Sequence, residues 1–173
     1  MNKIAVILIC MACLAISSCK DDSTSSSADV SVYLQDAPDP TYEKIKIELK
    51  GVSIYSQSSG SWLTLTVNNG AFDLLTLDSL HQSFLGKLKI QEGDISDLEL
   101  IIGNQNSVTV LGIDYPLTLD AADLDKLKIK MSNHLNGGLF YKLTIDFKAT
   151  ESIDKNGNIY KLKASLKISI KEV

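Results

Sequence analysis

The chain has 173 residues, of which 45% are hydrophobic, and a formal net charge of −4. It contains lysine but no arginine, the side chain favoured for bidentate recognition of phosphate, so the composition argues against specific nucleic-acid binding. The part that follows an N-terminal signal is long enough to bury one substantial core.

The first residues are organised like an export signal. Met1–Lys3 is a short charged region, and Ile4–Ile16 is an apolar run of about a dozen residues, whereas a helix across a hydrocarbon core needs about 20. The run ends in Ile16-Ser17-Ser18-Cys19, which resembles a bacterial lipobox. We therefore expect residues 1–18 to be a lipoprotein signal peptide and Cys19 to carry the lipid. An ordinary secretory signal with a chance cysteine is the alternative.

A charged triplet, Lys20-Asp21-Asp22, follows the cysteine directly. It resembles the lysine-plus-two-acids signal that some Bacteroidota lipoproteins use for export to the outer cell surface. By that resemblance the protein is an outer-membrane lipoprotein exposed on the cell surface, and a periplasm-facing orientation is the alternative. Several acyl chains make a stable membrane anchor, because each buried methylene contributes about 0.8 kcal/mol and one chain alone is marginal.

Residues 19–28 form the lipidated cysteine and a serine-rich tether. The tether has no apolar residue between Cys19 and Ala28, so it cannot bury enough surface to order itself. Its root-mean-square reach is roughly 17 Å. Because Cys10 and Cys13 leave with the signal peptide and Cys19 is the anchor, the mature domain has no disulfide, thiol nucleophile or thiolate metal site.

Period-two alternation of apolar and polar residues runs through residues 29–173, which have the length of one domain. Such alternation indicates strands with one face on a core and the other in water. We therefore predict a single all-β domain, an antiparallel β-sandwich of transthyretin- or immunoglobulin-like architecture with about eight to ten strands and at most one short helix. The alternating runs start at Val30, Leu63, Leu98, Ile113, Leu127, Leu139 and Leu162.

One run changes phase. Apolar residues occupy odd positions from Ile45 to Leu49 and even positions at Val52 and Ile54, which predicts a β-bulge at Lys50-Gly51.

The connections between the runs carry their own signals. Apolar residues spaced three to four apart around Asp78–Leu85 predict one or two helical turns at an end of the sandwich. Turns are predicted at Ser59-Gly60, Asn69-Gly70, Asn136-Gly137-Gly138 and Asn156-Gly157.

Three blocks of the domain carry a family resemblance: Val32-Tyr33-Leu34-Gln35-Asp36-Ala37-Pro38, then Phe72–Leu77, then Leu143–Phe147 with Ser152-Ile153. They resemble the bacterial lipoprotein domain-of-unknown-function family forty-three eighty-two, which has a V-x-L-x-D-A-P opening and a late L-D-F-x-A…S-I block. The resemblance covers about Asp29 to Ile170 and departs from the family at Asp125-Lys126, where a glycine is usual. The family has no established activity, so the resemblance implies fold and location rather than chemistry.

Acidic residues at a strand end are the first candidate site. Asp36 and Asp39 lie in a segment stiffened by two prolines, and one interpretation is a calcium or other ligand site to which Asp146 contributes. The other interpretation is an Asx-type turn that fixes the exit of the first strand. Asp154–Asn158 superficially resembles a calcium loop, but its glycine is misplaced and the twelfth-position glutamate is absent, so we predict a hairpin turn. We predict no metal and no cofactor.

Trp62 is the second candidate. It is the only tryptophan and is out of phase with Leu63 and Leu65, so it faces outward if they face the core. With Tyr55 or Tyr42 beside it, it would form a stacking platform for a sugar ring. The alternative is that Trp62 covers an end or edge of the sandwich.

Catalytic patterns are weak. His81 and His134 are not in metal-ligand spacing and are both predicted in loops. A Ser-His-Asp triad can assemble in space, but the chain has no G-x-S-x-G elbow and no glycine-rich phosphate loop.

Charge is divided unevenly along the chain. Residues 20–125 hold 6 lysines and 17 acids, whereas residues 126–173 hold 10 lysines and 4 acids. The later lysines mostly alternate with core residues and are predicted on the outer face of the last three strands. Such a face could attract acidic glycans or lipid headgroups, or its lysines could discourage edge pairing and sit beside acids of neighbouring strands. The later lysines in question are Lys126, Lys128, Lys130, Lys142, Lys148, Lys161, Lys163 and Lys167.

Three functions follow as hypotheses. The first is a non-catalytic binding or accessory module at the cell envelope, with a glycan or a protein as partner, the membrane reached through Cys19, and no nucleic acid. The second is a structural or assembly component of a surface structure. The third is a hydrolase.

Overall fold

A computed structural model describes residues 26–37, 40–68, 70–120, 127–163 and 165–173. The signal peptide, Cys19, the Lys20-Asp21-Asp22 triplet, Asp39 and Asp125-Lys126 lie outside the described residues. Among the residues that are described, no helix is long and apolar enough to cross a membrane.

The described residues form thirteen strands, one 3-10 turn at Leu74–Thr76 and one four-residue α-helix, α1, at Ala149–Ser152. The first strand begins at Ser27, so the fully buried Ala28 belongs to the domain rather than to the tether. The strands are β1 (Ser27–Gln35), β2 (Lys44–Ser56), β3 (Ser61–Thr66), β4 (Ala71–Asp73), β5 (Ser83–Gln91), β6 (Gly93–Ile102), β7 (Ser107–Val110), β8 (Ile113–Thr118), β9 (Lys128–Leu135), β10 (Phe140–Asp146), β11 (Ile153–Asn156), β12 (Ile159–Leu162) and β13 (Lys167–Glu172).

The strands form two sheets around one core. A four-stranded sheet has the order β13-β10-β1-β5, and a nine-stranded sheet has the order β11-β12-β8-β7-β2-β6-β9, with β3 and β4 also paired to β2. Alternating apolar side chains, such as Val30 and Val32 of β1 and Ile45 and Ile47 of β2, are buried. The predicted all-β, sandwich-like fold is confirmed.

Two details of the sandwich differ from the prediction. The strands outnumber the expected eight to ten, because strands of three or four residues such as β4, β7, β11 and β12 are too short to show a period. The sheets are mixed rather than wholly antiparallel, since β1 pairs with β10 and β12 pairs with β8 in parallel. Alternation identifies a strand but carries no information about its partner.

The predicted β-bulge is confirmed in β2, the longest strand. The pairing of β2 with β6 shifts register between Leu49 and Gly51. Before this point β2 lies between β4 and β7, and after it between β3 and β6. A Cβ atom at Gly51 would lie only 2.9 Å from the Leu65 carbonyl oxygen, so glycine lets β3 approach the bulge closely.

The predicted helical turns at Asp78–Leu85 are wrong. The Asp78 carboxylate accepts hydrogen bonds from the backbone N–H groups of Leu80 and His81, each at 2.7 Å, and β5 begins at Ser83. An aspartate that binds nearby backbone N–H groups stabilises a turn in competition with a helix.

The turn predictions hold where the structure describes them. Ser59-Gly60 lies in the connection between β2 and β3, and Asn156-Gly157 closes the β11–β12 hairpin with Gly157 at φ +61°. Asn136-Gly137-Gly138 links β9 to β10 in the opposite sheet. Asn69 lies outside the described residues.

Candidate functional site

Asp36 lies at the end of β1 and is only 4% exposed. Its Oδ1 accepts the Ala37 N–H at 2.7 Å and the Ala149 N–H at 3.0 Å, and its Oδ2 lies 3.2 Å from the same Ala149 nitrogen. The carboxylate therefore joins the first strand to the start of α1. This contact fixes the exit of β1, as the turn interpretation required, although the bonded groups differ from those of a simple local turn.

Asp36 holds the start of α1, and Ser152, which is fully buried, holds its end. Its hydroxyl lies 2.9 Å from the carbonyl oxygens of Phe147 and Lys148 and accepts the Ser165 N–H at 2.8 Å. Lys148 has φ +49°, a conformation that costs a non-glycine residue energy, and these bonds hold it there. The D-A-P and D-F-x-A…S-I blocks of the sequence are thus partners in one structural connection.

Asp146 and Asp36 lie near each other, at the ends of neighbouring strands. Asp146 is opposite Gln35 in the parallel register of β10 and β1, and opposite Lys167 in β13. Its Oδ1 is buried and has no hydrogen-bond partner among the described residues. No group of three or more metal-ligating side chains occurs in the described part of the chain.

Trp62 lies on β3 in the other sheet. Its side chain faces outward, as predicted, is 43% exposed and meets Tyr55 edge-on with ring centroids 5.5 Å apart. Tyr42 instead packs on Tyr160, with centroids 6.4 Å apart. The described contacts do not bring Trp62 together with Asp36 or Asp146, so these candidates do not form one site.

Each histidine pairs with one aspartate. The His81 Nδ1 atom lies 3.0 Å from both carboxylate oxygens of Asp78 in a loop. The His134 Nδ1 atom lies 2.7 Å from Asp94, and His134 is in β9 rather than in the predicted loop. No serine hydroxyl is bonded to either pair in the ranges that the structure describes.

A groove crosses the outer face of β2 at the bulge. It has a volume of about 770 Å³ and lies between the β3–β4 connection on one side and the β6–β7 connection with β8 on the other. Lys46, Glu48 and Lys50 form its floor, because they alternate with residues of β2 that face the core. The walls include Asn68, Ala71, Gln105, Asn106, Ser107, Asp114, Tyr115 and Pro116.

Hydrogen bonds hold the polar groups of the groove in place. Asn106 is buried, accepts the Glu48 N–H at 2.8 Å and donates to the Gly103 carbonyl oxygen at 2.8 Å. The Glu48 carboxylate accepts a hydrogen bond from Lys50 and the Gln105 N–H at 3.0 Å. These two bonds lower the pKa of Glu48, so this side chain is an ionised acceptor at neutral pH.

The sequence predictions did not include this groove. The sequence predicted only the β-bulge at Lys50-Gly51, which lies at the floor of the groove. A bulge bends its strand and disrupts the pairing locally. Its walls, Asn68 to Pro116, come from segments that begin 18 residues after Lys50, and no short-range pattern reveals that they meet.

Comparison with known families identifies the domain. The profile of the family described as Domain of unknown function (DUF4382) matches residues 27–164, which is most of the chain. Neither the curated proteins nor the solved structures include a match. The matched region runs from the start of β1 past β12 and contains Asp36, Ser152 and the groove. The chain therefore belongs to the DUF4382 family of domains of unknown function.

Proposed function

We propose that the protein is a non-catalytic binding module of the cell envelope, held at the outer membrane through lipid on Cys19, and that its groove binds a neutral oligosaccharide. The composition of the groove wall carries this proposal: lysines, carboxylates, amides and hydroxyls surround one depression of about 770 Å³. Sugar hydroxyls both donate and accept hydrogen bonds, and a wall that offers both is suited to them. The volume lies in the range of small-ligand sites.

The charges of the groove favour a neutral ligand. Lys46 and Lys50 balance Glu48 and Asp114 around the same space. Glu48, whose pKa is lowered by Lys50, is unsuited to act as the general acid of a glycosidase, which needs a raised pKa. This supports binding over the hydrolase alternative.

The edges of the sheets bear on the assembly alternative. An assembly component that grows by strand addition needs an edge open to pairing. Lysines occur on the edge strands β5, β9, β11 and β13 and discourage such pairing there. The edge strands β3 and β4, which pair only with β2 among the described strands, carry no lysine but are only six and three residues long, and a short edge also limits strand addition. The binding module is therefore the function that we favour.

The groove is tested on an array of neutral oligosaccharides with a chain of residues 20–173, which retains every buried core residue, Ala28 to Leu162. We expect saturable binding that falls about tenfold or more in the double variant Asn68→Ala with Gln105→Ala. The two substitutions remove amide side chains from opposite walls of the groove, and each amide is expected to make one hydrogen bond to the sugar. Such a bond contributes about 1 kcal/mol.

A matched double variant serves as the control. Gln57→Ala with Asn158→Ala removes the same two amides from exposed turns outside the groove and is expected to leave the affinity unchanged. Trp62→Ala separates the groove from the Trp62–Tyr55 platform. If Trp62→Ala abolishes binding while the groove variant retains it, the platform is the site. If no neutral glycan binds, the proposal fails.

The membrane anchor is tested separately in cells. We expect metabolic labelling with an acyl-chain analogue to mark the native protein but not the Cys19→Ser variant. The variant is also expected to be absent from the membrane fraction. A membrane-impermeant amine reagent is expected to label the native protein on intact cells. Labelling that requires cell lysis would instead establish the periplasm-facing orientation.

A further inference from the structure

The outer face of the four-stranded sheet carries a row of lysines across its strands. Lys142 of β10 lies opposite Lys171 of β13, and both Lys142 and Lys87 of β5 lie opposite Ser31 of β1. We call Lys171, Lys142 and Lys87 the lysine band. Each lysine is next to at least one residue that packs on the core, namely Leu88, Tyr141 with Leu143, or Ile170. The Lys142 Nζ atom lies 4.6 Å from the centre of the Tyr33 ring on the same face.

The row that holds the lysine band contains no acid, and Asp29, the acid on the same face of β1, lies one row away opposite Lys89. No member has an ion pair among the described residues, and like charges directly opposite one another in a sheet are unfavourable. On the nine-stranded sheet, by contrast, Lys130 lies 2.6 Å from Asp97 and Lys163 lies 2.8 Å from Asp154. A chain with net charge −4 thus has enough acids to pair its lysines, but places none of them in this row.

Exposed aromatic rings lie on both sides of the lysine band. Phe140 is opposite Asp29, one row nearer the start of β1, and is 58% exposed. Phe84 is opposite Tyr33, one row further on, and is 53% exposed. Aromatic rings together with lysines are typical of surfaces that lie in the interface of a membrane.

The tether ends at β1, a central strand of this sheet. Ser31 lies only four residues, or about 13 Å, beyond Ser27 at the start of β1. The eight residues from Cys19 to Ser27 span at most about 28 Å even when fully extended. A lipid on Cys19 therefore keeps the lysine band close to the headgroups, which favours a membrane over a soluble polyanion as the partner.

We propose that this face is a membrane-docking surface, in which the lysine band binds the phosphates of anionic lipid headgroups and Phe84 and Phe140 enter the interface. The inference goes beyond the binding function of the groove and takes only the nearby membrane from the proposed anchor. The groove lies on the outer face of the opposite sheet, so docking leaves it open to the surroundings.

Vesicle sedimentation tests the docking surface with the unlipidated chain of residues 20–173. We expect binding to phosphatidylcholine vesicles that contain about 30% phosphatidylglycerol, and little binding to pure phosphatidylcholine. The triple variant K87Q/K142Q/K171Q is expected to bind about a hundredfold more weakly, since each lysine near an anionic surface contributes about fivefold. Its melting temperature should not fall, because it removes a like-charge pair.

A second triple variant distinguishes the surface from overall charge. K128Q/K130Q/K163Q has the same net charge but alters the nine-stranded sheet, and is expected to change vesicle binding by less than about threefold. Equal losses in the two variants would overturn the proposal. Binding to a soluble polysulfate without binding to anionic vesicles would also overturn it.

A fluorescence measurement tests the orientation directly. In a Trp62→Phe background, Phe84→Trp is expected to be quenched by brominated lipids, whereas the native Trp62 on the other sheet is expected to be protected from them. Quenching of Trp62 alone would place the membrane contact on the wrong sheet. These results do not depend on glycan binding, so either proposal can fail without the other.

Discussion

Replacing Asp36 by alanine is expected to destabilise the domain by about 2–3 kcal/mol, because it removes the acceptor of a hydrogen bond from the fully buried Ala149 N–H. A buried N–H group left without a partner has given up its hydrogen bonds to water and gained none in return, so its full desolvation penalty lowers the stability of the fold. The lost bonds are also to a carboxylate, and such bonds are stronger than those between neutral groups. Urea unfolding followed by circular dichroism measures the change.

Asp146→Ala is the matched comparison for Asp36→Ala. Both residues are aspartates at the ends of neighbouring strands, but the Asp146 Oδ1 atom is buried without a partner among the described residues. We expect its removal to change the unfolding free energy by less than about 0.5 kcal/mol or to increase it. If the two variants lose equal stability, the Asp36–Ala149 contact does not have the role that we assign to it.

Ser152→Ala is expected to cost about 2 kcal/mol. The serine hydroxyl is fully buried, donates to the Phe147 carbonyl oxygen and accepts the Ser165 N–H, so alanine removes a partner from each of these two groups. The Lys148 carbonyl oxygen keeps the N–H groups of Glu151 and Ser152. The same unfolding measurement applies, and we also expect local loss of amide hydrogen-exchange protection at Ser165.

The neighbouring serine provides the control for Ser152→Ala. Among the residues that the structure describes, the Ser165 hydroxyl donates only to the exposed Glu151 carboxylate at 3.0 Å, so Ser165→Ala is expected to cost less than about 0.5 kcal/mol. Equal losses in the two variants would show that the buried hydroxyl of Ser152 is not what stabilises α1.

The strands could be predicted from the sequence, but their pairing could not. Alternation at Val30 or Leu143 shows that each lies in a strand with one buried face, yet nothing local indicates that these strands are parallel neighbours. The bond from Ala149 to Asp36 joins residues 113 positions apart. Both residues belong to sequence blocks that carry the family resemblance, but only the three-dimensional structure shows that Asp36 and Ala149 are in contact.

The lysine pattern shows a similar limit. Alternation correctly predicted outward-facing lysines in the later strands, but these strands belong to different sheets. Lys130 and Lys163 lie beside acids of the nine-stranded sheet, whereas Lys142 lies opposite Lys171 in the other. Lys126 lies outside the described residues. Which lysines keep a partner depends on strand order, which the spacing of residues does not encode.

The parallel pairing of β1 with β10 affects the timing of folding. The first strand sits in the middle of its sheet, so it cannot complete its hydrogen bonds until a segment more than 100 residues later has been synthesised. At about 5–20 residues per second, that delay is roughly 6 to 20 seconds. The four-stranded sheet therefore stays incomplete during that interval, which is compatible with the export that we propose for this protein.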